Sequence, residues 1–122
     1  MSYLKPISTL LTAAVLSISG TALASSYHVF ADAAGGKALS SGKLEAAGKH
    51  FKGSLDFADH NNLCVLHALN GAMTDAMASC AIALDLAKSA SLSVRRRALP
   101  GIEANLDTLQ EAISNSIAAS DD

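Results

Sequence analysis

His60-Asn61-Asn62-Leu63-Cys64-Val65-Leu66-His67, then Asn70-Gly71, then Ala76 through Cys80 to Leu84: this stretch decides how the chain folds. Asn-Gly is a turn signal. Beyond it, Ala76, Cys80, Ala83, Leu84 and Ala87 recur at three- and four-residue steps, which places them on one face of a helix. The spacing predicts one helix from about His60 to Leu69 and a second from about Met73 to Lys88, folded back on each other at the glycine.

The hairpin makes the two cysteines a geometric question. Cys64 lies seven residues before Gly71 and Cys80 nine after it, so an antiparallel pair brings them to nearly the same level. Packed helices about 8–10 Å apart, with Cα radii of about 2.3 Å, leave facing Cα atoms about 4–5 Å apart, at the short end of the disulfide range. Such a bond would contribute roughly 3 kcal/mol. The alternative is a pair of reduced core cysteines acting as small apolar residues. A third reading uses His60, Cys64 and His67, which share a helix face, with Cys80 as a fourth ligand. Two His and two Cys suit a tetrahedral zinc or a soft metal, which would make this a metal-binding or redox-linked helical protein. A cysteine cannot serve both readings, and the expected set contains no metal and no cofactor.

Upstream, residues 25–30 read as an irregular lead, and a helix between Phe30 and Ser41 is weakened by Gly35-Gly36. Leu44, Ala47, Phe51, Ser54 and Leu55 predict a helix over Leu44 to Phe57. Gly42, Ala47, Phe51 and Leu55 stand 29 residues before Gly71, Ala76, Cys80 and Leu84, which argues for an internal duplication. Asp59 is expected to cap the helix that follows it. Downstream, Ser89 to Arg97 reads as a linker or frayed end, with Arg95-Arg96-Arg97 in a solvated turn. Pro100 suits the first turn of a last helix. Ile102, Leu106, Leu109, Ile113 and Ile117 form its apolar stripe, with Glu103, Asp107, Gln110 and Glu111 toward water. This helix would cap the second hairpin; the alternative is pairing with another copy into a dimer. The tail, residues 119–122, is expected to be disordered.

At the N-terminus, Lys5, the mostly apolar stretch Ile7 to Ile18 and Ala22-Leu23-Ala24 read as a secretory signal cleaved after Ala24. The stretch is too short and too rich in Ser and Thr for a membrane span. Residues 25–118 then form one small domain, periplasmic or secreted, where a disulfide can persist. The formal charge is −2 and aromatics are 4% of residues, which gives no nucleic-acid signature. The apolar residues are mostly Ala and Leu, so the core is thin and calls for a staple, a partner or a covering helix. No phosphate-cradling glycine loop, H-E-x-x-H or G-x-S-x-G motif is present, so no enzymatic role is expected.

These residues resemble the tetratricopeptide repeat (TPR), whose pattern runs W-x2-L-G-x2-Y, then A-x3-F, then P over about 34 residues. His60-x2-Leu63-Cys64-x2-His67 takes the first block, Ala76-x3-Cys80 the second, and Lys88 falls at the Pro position. Phe57 to Val65 and Ala76 to Ala87 are similar to small exported TPR proteins of proteobacteria. The resemblance implies an all-α fold: about two TPR-like antiparallel hairpins, then a C-terminal capping helix, in a right-handed array of about five helices. It places His60 and His67 at aromatic core positions. It implies a non-catalytic role in protein or peptide binding, with Asn61, Val65, Ala68 and Leu69 facing the groove. Asn62 matches an Asn that in some TPR domains bonds a ligand's backbone or carboxylate. The partner is a protein or peptide that the sequence does not identify.

Overall fold

A computed structural model describes residues 26–121. The expected signal segment, its expected cleavage site and Asp122 lie outside them. The described residues are helical, without strands: α1 (Gly36–Ser40), α2 (Leu44–Gly48), α3 (Phe57–Leu69), α4 (Met73–Lys88) and α5 (Leu92–Asp121). The chain is therefore all-α. No described helix is long and apolar enough to cross a membrane.

The hairpin forms between α3 and α4. Helix α4 contains no Gly or Pro, and Asp75 in its first turn and Lys88 in its last suit the helix dipole. Gly71 turns the chain at φ +82°, where a side chain would be strained. Cys64 and Cys80 are fully buried and disulfide-bonded, with Cα atoms 5.2 Å apart. Ala76, Ala83 and Ala87 are buried with them, so small side chains let the helices approach closely.

Several boundaries differ from the sequence expectation. Helix α2 stops at Gly48 instead of running to Phe57. Glycines at 48 and 53, the latter at φ +73°, break the pattern that Phe51 and Leu55 would have continued. Helix α3 starts at Phe57, and its N-cap is Asp56 rather than Asp59. Asp59 is the other half of a capping box: its backbone N–H donates to Asp56, and its carboxylate accepts from the Asp56 N–H.

The expected linker at Ser89 to Arg97 is mostly helix. Helix α5 begins at Leu92 and carries Arg95 to Arg97 in its early turns and Pro100 in its interior. Ala98 and Ile102 are buried against Ala83 and Ala87, so the apolar stripe starts upstream of the proline. Proline lacks the N–H that would bond one turn back, and Pro100 lies on the exposed side. Helical backbone continues to Asp121.

Helix α5 lies mainly along α4 and touches α3. At 30 residues against 16, it outruns α4 by about 20 Å at 1.5 Å per residue. Its stripe is accordingly covered at Ile102 and Leu109 and bare at Ile117, which is 59% exposed. Helices α1 and α2 pack on α3 and on each other. Two clusters make the core. One joins Tyr27, Leu39 and Ala47 to the disulfide and Leu109. The other joins Phe30 and Phe57 to Ala83, Ala87, Ala98 and Ile102.

Candidate functional site

Residues 27–34 do not form a helix. They run as an extended segment followed by turns, a strap held against α3 and α5. Three carboxamides hold it: Asn61 and Asn62 from α3 and Asn105 from α5. All three are almost completely buried. Buried amides must find partners, and here they find main chain.

The His28 N–H donates to Asn105 Oδ1 at 2.6 Å, and the His28 carbonyl accepts from Asn105 Nδ2 at 2.8 Å and from Asn61 Nδ2 at 2.9 Å. Two residues on, the Phe30 N–H donates to Asn62 Oδ1 at 2.9 Å, and its carbonyl accepts from Asn62 Nδ2 at 2.8 Å. Asn62 also donates to the Ala34 carbonyl at 3.0 Å. The Asn105 amide closes the set by donating to Asn61 Oδ1 at 2.8 Å. An extended chain points alternate residues the same way, so residues 28 and 30 present their peptide groups to one wall. Each Asn offers one carbonyl and two N–H donors. Asn62 and Asn105 each use both donors and the carbonyl.

Asp59 anchors the far end, accepting the Ala34 N–H at 2.9 Å. Partial burial would raise its pKa. The N–H groups of Ala34 and Asp56, the Asp56 side chain and the nearby His60 outweigh that and hold the carboxyl below its ordinary value. At the near end Tyr27 is buried, and burial pushes its phenol up.

Side chains fix the strap's register. The His28 ring meets Phe30 edge-on at 4.8 Å between centroids, and Phe30 meets Phe57 the same way at 5.9 Å. The His28 ring also lies over Gly101, where a Cβ would collide with it. A glycine inside a helix costs about 1 kcal/mol relative to alanine, and the ring explains its presence. Beside Phe30 lies an open hollow lined by Phe57, Val94, Arg97 and Ala98.

Of the residues expected to face a partner, Asn61 and Asn62 hold the strap. Val65 and Ala68 are buried in the same cluster as Tyr27, and Leu69 packs at its edge. The cysteines are joined to each other, so neither is a thiolate ligand. His60 and His67 are half-buried, and the His60 Nδ1 is buried without a hydrogen-bond partner. No group of three or more His, Cys, Asp or Glu that would hold a metal occurs among the described residues. Two contributors escaped the sequence reading. Asn105 was legible only as a polar residue on the core side of the α5 stripe. The second half of the strap falls in the weak helix expected between Phe30 and Ser41, whereas helix forms there only over Gly36–Ser40. No family model matches the chain, and no curated protein or solved structure matches it significantly.

Proposed function

We propose that this chain is a non-catalytic binding module of TPR-like design, exported to the periplasm or secreted, that takes an extended segment of polypeptide in its asparagine-lined groove. The single observation that carries the reading is the paired recognition of N–H and C=O at His28 and Phe30 by Asn105, Asn61 and Asn62. Carboxamides so placed are complementary to main chain of any sequence, while the hollow beside Phe30 adds side-chain selectivity. The disulfide fits an oxidising compartment.

Display of random linear peptides against the folded chain tests this. The expected result is enriched sequences that bind and lose affinity on Asn62→Ala and Asn105→Ala. Failure to enrich any peptide, or enrichment indifferent to both substitutions, would contradict it.

A further inference from the structure

We propose that the strap, residues 27–34, is an exchangeable built-in ligand. The partner of this groove would then be an extended segment of another polypeptide that displaces the strap and seats an aromatic side chain against Phe57. This rests on the reading of the groove given above.

The strap itself shows what the groove accepts. Its hydrogen bonds to Asn61, Asn62 and Asn105 are all made by main chain. Three of its eight side chains, His28, Ala31 and Asp32, are exposed; Val29, Phe30, Ala33 and Ala34 are half-buried, Val29 and Phe30 against the two core clusters. Only Tyr27 is buried. Among the described elements, the segment lies ahead of α1 in the chain.

The groove cannot simply stand empty. Departure of the strap removes every hydrogen bond Asn62 makes to it and leaves Asn61 and Asn105 only the bond they share, an unfavourable state until new partners are found. A replacement must offer N–H and C=O pairs at alternate residues, as extended polypeptide does. An apolar ligand or a lone ion does not. The second requirement comes from Phe30, whose ring stands edge-on to Phe57 beside the Val94, Arg97 and Ala98 hollow. An incoming aromatic side chain has room to fill that hollow further than Phe30 does.

Because the strap is tethered, its effective concentration is high, and a free segment of the same sequence competes poorly with it. Loosening the strap within the full chain should therefore admit the segment in trans. The probe is a labelled synthetic peptide spanning Ser26 to Ala34. The hosts are the unaltered chain, Phe30→Pro and His28→Pro, each of which deletes one N–H that the groove accepts. Helical circular dichroism is recorded for all three.

The expected result is at least about tenfold tighter peptide binding to a folded proline variant than to the unaltered chain, abolished by adding Asn62→Ala. Equal binding to all hosts would overturn the exchange and leave the binding-module reading standing. Binding to none of them, with both variants folded, would overturn both. Loss of helicity in both variants would overturn the exchange alone, because the strap would then be an obligatory part of the core.

Discussion

The chain turns twice in the same way and builds very different things on the two turns. At Gly42, φ is +74°; the Gly42 N–H bonds to Leu39 and the Lys43 N–H to Ala38, at 3.0 and 2.8 Å. At Gly71, φ is +82°; the Gly71 N–H bonds to Ala68 and the Ala72 N–H to His67, again at 3.0 and 2.8 Å. Every atom pair is related by the 29-residue offset seen in the sequence, and Ala47 and Ala76 are both fully buried. Yet the first turn joins two helices of five residues, and the second joins helices of 13 and 16. Turn chemistry alone does not set helix length. Helices shorter than about 12–15 residues hold together through packing, and the second hairpin has a disulfide where the first has Phe51.

Removing the staple should break that contrast most severely. Cys64→Ala with Cys80→Ala is expected to cost about 3 kcal/mol, lowering Tm by more than about 10 °C. An unchanged melt would mean that packing alone distinguishes the two hairpins. Next in size is Asn62→Ala, which strands the peptide groups of Phe30 and the carbonyl of Ala34 and should cost about 2 kcal/mol. Its effect is expected chiefly as faster hydrogen exchange in the strap, with α4 little changed.

The glycine turns sharpen the comparison directly. At neither Gly42 nor Gly71 would a Cβ meet any atom, so alanine costs backbone strain alone, about 1 kcal/mol at each. Equal shifts in urea midpoint are expected if both hairpins unfold together. A silent Gly42→Ala would show that the first half opens independently.

The smallest effect is the pH dependence of the Asp59 anchor. Its folded pKa lies below the ordinary one, so its stabilisation is complete above the ordinary Asp range and is lost as pH falls through the folded value. Strap exchange should quicken on acidification below about pH 4, and Asp59→Asn should remove that dependence.

Much of the second hairpin was legible because its signals are local. Asn70-Gly71 marks the turn, and the Ala76–Cys80–Ala83–Ala87 steps mark a face. With the turn located, the level of the cysteines follows by counting. The first half was misread because its apolar spacing resembles a helix, while Gly48 and Gly53 end the helix at its first turns. The start of α5 was misread because Ser89, Ser91 and Ser93 with Arg95 to Arg97 make a polar stretch that resembles a linker, and Pro100 suggests a helix that begins only there. Burial of Ala98 and Ile102 against α4 overrides them. For the candidate site, Asn61 and Asn62 stood out on α3. Asn105 and the strap did not, because their pairing joins residues 77 positions apart. No periodicity records such a contact.

The most direct measurement is residue-resolved amide hydrogen exchange across 27–34 in the unaltered chain and in Asn62→Ala. Protection at His28, Phe30 and Ala34 is expected, with Val29 between them exchanging faster and Phe30 losing protection in the variant. Uniformly fast exchange through the segment in the unaltered chain would contradict a strap held by its main chain in the groove.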